Sequence, residues 1–60
     1  MTKKRIAILG STGSIGTQAL GVVLEQKDRF EVEVLTAHRN ADLLIEQAIL
    51  HQPNVVVIGE

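Results

Sequence analysis

Sixty residues make at most one small domain, and a chain of that size buries only ~60% of the surface it exposes unfolded. It has no cysteine, so neither a disulfide nor a thiolate metal site reinforces it, and its two histidines, His38 and His51, lack zinc-ligand spacing. A net charge of −1, one aromatic residue (Phe30) and no apolar run near the ~20 residues of a membrane span argue against nucleic-acid and membrane partners.

The one charge run, TKKR at residues 2–5, reads as a solvated lead-in to a strand. The apolar stretch after it, IAIL, is too short for a signal-peptide core and meets Gly10 at once. Together with the missing cysteines, this leads us to expect a soluble, cytoplasmic chain.

RIAIL, residues 5–9, reads as a strand buried on both faces. IGTQALGVVLEQK, residues 15–27, reads as a helix whose inward stripe is Ile15, Ala19, Val22, Val23 and Gln26. Gly21 within it costs roughly 1 kcal/mol against alanine, and close helix–sheet packing is its expected reason. KDR at 27–29 is a polar turn. EVEVL, residues 31–35, alternates as a strand does, with Val32 and Val34 on one face and Glu31 and Glu33 on the other.

TAHRN, residues 36–40, then reads as a loop. Asn40 is expected to cap a helix over 41–51, with Asp42 in its first turn and Leu44, Ile45, Ala48 and Ile49 inward. His51 reads as a surface residue at its C-terminus, and Pro53 stops it. VVVI, residues 55–58, is a third buried strand.

Strand, helix, strand, helix, strand predicts an α/β unit with a parallel sheet, both helices on one face. Two strands apolar at every position expect cover on both faces, and the chain stops at Glu60, where a third strand should hand over. We therefore expect residues 1–60 to be the front piece of a larger domain.

The stretch LGSTGSIGTQAL, residues 9–20, carries the chemistry. A strand, a glycine-rich turn and a helix N-terminus make a phosphate site, because unpaired N–H groups and the helix dipole both favour an anion. Glycines close the turn and let the backbone approach a pyrophosphate, while Ser11, Thr12 and Ser14 offer hydroxyls. The spacing is G-x-x-G-x-x-G. It is not the nucleotide-triphosphate loop, since Ile15 stands at that motif's second glycine and no lysine follows. The fold class is therefore α/β, a Rossmann-like βαβαβ half of a parallel doubly wound sheet.

The end of the second strand discriminates between cofactors. NAD sites place a carboxylate there, and NADP sites an arginine. LTAHRN has no carboxylate before Asp42 and offers Arg39 to a 2′-phosphate, with His38 and Asn40 as further hydrogen-bond partners.

KRIAILGSTGSIGTQAL, TAHRNADLLIEQ and QPNVVVIGE together resemble the N-terminus of the 1-deoxy-D-xylulose 5-phosphate reductoisomerase family, over essentially the whole chain. The resemblance implies NADPH contacts at Thr12, Gly13, Ser14 and Ile15 in the turn, and at His38, Arg39 and Asn40 after the second strand. His38 stands where the family often has glycine. It also implies a homodimer with separate NADPH, catalytic and helical domains, acting on a sugar phosphate with NADPH and Mg²⁺ or Mn²⁺. The metal would orient the sugar's oxygens for rearrangement, and NADPH would deliver hydride to the resulting aldehyde.

The family's metal and substrate residues lie beyond residue 60. Asp28, Glu31, Glu33 and Asp42 read as solvated charges, no catalytic residue is assigned, and the chain alone is expected to be inactive. The alternatives are an NADP-dependent dehydrogenase of the aspartate-semialdehyde type and a non-catalytic dinucleotide-sensing module.

Overall fold

Three strands and two helices alternate along the computed structural model: β1 (Lys4–Leu9), α1 (Ser14–Glu25), β2 (Phe30–Ala37), α2 (Ala41–His51) and β3 (Val55–Ile58). Residues 3–59 are described; the first residue of the TKKR run and Glu60 lie outside them. The strands are parallel in the order β1-β2-β3, with β2 central. This is the expected Rossmann-like half-sheet. Leu20 and Val23 of α1, Leu44 of α2, and Val32, Leu35 and Ala37 of β2 form one buried cluster, so both helices cover the same face. Leu35 at its centre is fully buried, worth about 1.5–3 kcal/mol by transfer from water.

The sequence reading of β2 needs correction. The register with β1 slips between Ile6 and Ala7: Ile6 pairs with Val32, but Ala7 pairs with Val34. Glu33 is the extra residue, and such a bulge exchanges the faces of everything after it. Val32, Leu35 and Ala37 therefore share the helix face, and Val34 does not accompany Val32. Asn54 holds the bulge, its N–H donating to the Glu33 carbonyl at 3.0 Å and its amide to Glu33 Oε1 at 2.9 Å. The strand also runs on through Thr36 and Ala37, which were expected in the loop.

The helix stripes differ too. In α1 the buried positions are Gly16, Leu20 and Val23, while Ile15 is 84% exposed and Val22 is exposed. In α2 they are Leu44 and Gln47, with Ile45 and Ile49 exposed. Both helices carry apolar residues on more than one side, so hydropathy alone did not select the inward one. The helix ends fall close to expectation. Asn40 caps α2, and Gln52, in the left-handed region, closes it ahead of Pro53.

The expected burial of β1 and β3 on both faces is not met within the described residues. Leu9 is 76% exposed and all four residues of β3 are exposed, because the two helices lie on one face and both strands are sheet edges.

His51 is half-buried rather than a surface residue. It shares a hollow between α1 and α2 with Val23, Leu50, Lys3, Lys27 and Glu31. Desolvation lowers its pKa below the ordinary value, so burial outweighs the helix dipole, which alone would favour the charged ring. The folded state thus prefers neutral imidazole. His51's contribution is fully present above its unfolded pKa of about 6.5 and is lost as pH falls through the folded value. Urea titrations at pH 7 and pH 5.5 should show wild type losing more stability on acidification than His51→Gln.

A Cβ at Gly21 meets no atom within 4 Å, so close packing is not the reason for that glycine. Gly21→Ala should therefore protect α1 by about 0.5–1 kcal/mol through helix propensity alone. Native-state amide hydrogen exchange reads this directly, and faster exchange across α1 would contradict it.

Candidate functional site

The C-terminal ends of the three strands carry both stretches singled out in the sequence. β1 runs into the turn at residues 10–13. Gly10 has φ +74°, a conformation that glycine adopts without strain, and Gly13 N–H donates to its carbonyl at 3.1 Å to close the turn. β2 holds the turn in place: Thr36 Oγ1 accepts from Gly10 N–H at 3.3 Å, and the Thr36 carbonyl accepts from Ser11 N–H at 2.8 Å.

α1 then packs directly onto this turn. A Cβ on Gly16 would overlap the Gly10 carbonyl oxygen and lie 2.6 Å from Ser11 Cα. Only glycine allows that approach. At Gly13 an added Cβ would meet a single atom, the Gly10 oxygen, at an ordinary 3.5 Å.

The two helix N-termini differ in electrostatics. In α1 the first ladder bond runs from Thr17 N–H to the Gly13 carbonyl at 2.9 Å, so the N–H groups of Ser14, Ile15 and Gly16 precede the ladder. No side chain caps this end, and its first turn holds no acidic residue. In α2 the Asn40 side chain accepts from Leu43 N–H at 3.3 Å, and Asp42 adds negative charge. The α1 end therefore has more unpaired N–H groups and less negative charge to offer an anion than the α2 end.

The hydroxyls divide differently from expectation. Ser11 is fully buried, and its Oγ donates to Gln47 Oε1 at 2.7 Å, so it is not free for a phosphate. Thr12 Oγ1 donates to the Arg39 carbonyl at 3.2 Å. Ser14 is exposed at the helix end. Ile15 lines a hollow of about 590 Å³ beside β1, together with Ala7, Leu9, Gly10, Gly13, Ser14 and Ala19.

His38, Arg39 and Asn40 are all exposed in the short link between β2 and α2. The Thr12–Arg39 contact brings this link against the glycine turn, so the two predicted stretches meet. Asn40 takes the left-handed conformation, φ +65°, which asparagine tolerates. Among the described residues the other positive φ angles belong to Gly10 and Gln52, so the backbone at His38 does not require glycine. Its Nδ1 faces Gly59 just beyond β3.

Sequence reading missed Gln47 and Thr36. Gln47 sits on a helical face between apolar residues, and nothing in the spacing marks its partner 36 positions away. Thr36 was assigned to a loop, so its ladder position was not seen. Among the described residues no three His, Asp or Glu side chains come together as a metal site, and no helix is long and apolar enough to cross a membrane. Asp28, Glu31, Glu33 and Asp42 contribute to no such cluster.

Gly16→Ala should push the turn off α1, costing about 1–3 kcal/mol as an overpacked contact, whereas Gly13→Ala should keep the fold. Circular dichroism melts of the two variants distinguish the positions. Equal stability would show that the Gly16 contact can relax.

Known proteins share this sequence over nearly its whole length. The sequence profile of 1-deoxy-D-xylulose 5-phosphate reductoisomerase matches residues 6–60. The chain is 62% identical over 57 residues to the enzyme of that name from Phocaeicola vulgatus, covering 95% of this chain and 15% of that protein. It is 55% identical over 58 residues to the one from Paraburkholderia phymatum, covering 97% and 14%. For the protein from Porphyromonas gingivalis the identity is 59% over 57 residues, covering 95% and 15%. The chain thus spans about one seventh of the length of these curated relatives.

Proposed function

The chain belongs to the 1-deoxy-D-xylulose 5-phosphate reductoisomerase family, and from that premise we propose that it is the NADPH-binding segment of such an enzyme. The observation that carries the proposal is the N-terminus of α1. Three N–H groups precede the helical ladder there, on a turn that Gly16 allows the helix to approach, and no side chain caps them. This cradle fits a pyrophosphate.

In this reading Thr12, Gly13 and Ser14 surround the pyrophosphate and Ile15 offers an apolar wall. Arg39 meets the 2′-phosphate with its guanidinium, a bidentate partner for phosphate oxygens, and His38 and Asn40 flank it. Asn40 Oδ1 is committed to the α2 cap, which leaves its amide nitrogen for a ligand. When bound, NADPH supplies hydride for the reduction. The chain's own groups bind and orient it.

We propose further that the whole protein converts 1-deoxy-D-xylulose 5-phosphate to 2-C-methyl-D-erythritol 4-phosphate. It would do so as a cytoplasmic homodimer in non-mevalonate isoprenoid biosynthesis. Residues 1–60 form the first part of its Rossmann domain, and the uncovered apolar face of the sheet supports that division. The Mg²⁺ or Mn²⁺ of the reaction does not fit this segment, whose described residues lack a ligand cluster. The family match supports this reading over a semialdehyde dehydrogenase or a sensing module.

The test uses the full reading frame that contains this sequence. Absorbance loss of NADPH should require both the sugar phosphate and a divalent metal, and NADH should be a poor replacement. Arg39→Ala should weaken NADPH about ten-fold while leaving NADH nearly unchanged, as expected for a lost charge-assisted contact. An equal effect on the two dinucleotides would remove Arg39 as the phosphate reader.

A further inference from the structure

Gln47 lies two turns into α2 and is 8% exposed, in contact with a serine that is fully buried. Its amide makes a reciprocal pair with Ser11: Ser11 Oγ donates to Gln47 Oε1 at 2.7 Å, and Gln47 Nε2 donates to the Ser11 carbonyl at 2.8 Å. Two bonds from one planar amide fix orientation as well as distance. They join the glycine turn to the helix that begins directly after His38, Arg39 and Asn40.

We propose that Gln47 is a positioning residue that sets the preference for NADPH over NADH without touching either dinucleotide. The proposal rests on the dinucleotide reading above. Both dinucleotides carry the pyrophosphate, and only NADPH carries the 2′-phosphate. Holding two anionic groups of one ligand on two separate elements gains most when the spacing of those elements is fixed beforehand.

A second tie between the elements, Thr12 Oγ1 to the Arg39 carbonyl at 3.2 Å, is long and open to water, so it fixes little alone. The Ser11–Gln47 pair is buried, where a hydrogen bond is stronger than in water, and it adds to the Thr36 bonds a brace on the α2 side that sets the spacing. α2 transmits it as a rigid rod, rising about 1.5 Å per residue from its cap to Gln47. Freed from the pair, the turn stays bonded to Thr36 and can still hold a pyrophosphate, but the link at 38–40 is no longer steadied from its α2 side.

The experiment measures dissociation constants for NADPH and NADH by calorimetry on the full-length protein, wild type against Gln47→Leu and Ser11→Ala. Gln47→Leu should raise the NADPH constant about ten-fold and the NADH constant about two-fold or less, within the range of coupling between contacting groups. Ser11→Ala removes one of the two bonds and should shift the ratio the same way by less. Melting temperatures are recorded in parallel, because a purely structural role lowers the melt and moves both constants together. That equal movement would overturn the proposal. If Gln47→Leu does not fold, an unchanged ratio in Ser11→Ala overturns it instead. A wild type that binds neither dinucleotide, or does not prefer NADPH, overturns the cofactor reading and this proposal with it. A wild type that prefers NADPH beside variants of unchanged ratio overturns the role of Gln47 alone.

Discussion

Helix α1 comes so near the turn before it that Gly16 has room for a hydrogen and no methyl group. That contact sets the depth at which the helix starts, and so where its first N–H groups stand relative to the strand ends. The left-handed Gly10 directs the chain into position, and Thr36 holds it there with two bonds from the central strand. Burial of Leu20 and Val23 against β2 then keeps the helix seated. The site is thus assembled from backbone geometry first, and side chains enter mainly as braces.

The two helices show how one fold assigns different work to the same kind of end. α2 satisfies its own first turn with Asn40 and adds the charge of Asp42. α1 does neither, and its first turn faces the strand ends. The helix dipole alone favours an anion more strongly at the uncapped end than at the end that Asn40 caps and Asp42 partly neutralises. The difference is written in four or five residues and needs no charged side chain in the turn itself.

Much of this was legible in the sequence because it depends on local chemistry. Glycine spacing, the Asn40 cap, the Pro53 stop and the β-branched run at 55–58 are features a single segment reveals. Gln47 was not legible, since a glutamine among apolar helix positions announces neither its burial nor a serine from the first turn. The faces of β2 were misread because alternation counts residues, and the bulge at Glu33 adds one that the ladder does not count. The stripes of both helices were misread for a related reason: Ile15, Val22, Ile45 and Ile49 are as apolar as the residues that pack. Hydropathy records that a face needs cover and says nothing about whether this segment supplies it.

The parallel ladder has a kinetic consequence. It contains no hairpin, so every strand pairing encloses a whole helix, as Lys4 with Phe30 and Val34 with Val55 show. No sheet bond can form before such a loop has closed, and the entropy of closure is lost before any contact offsets it. α1 and α2 shorten those loops, so helix formation has to run ahead of the sheet. The Ser11–Gln47 bonds span 36 positions and enclose α1, β2 and the first part of α2. They can set only after the first crossover has closed and α2 has docked, which makes this brace on the glycine turn a late contact.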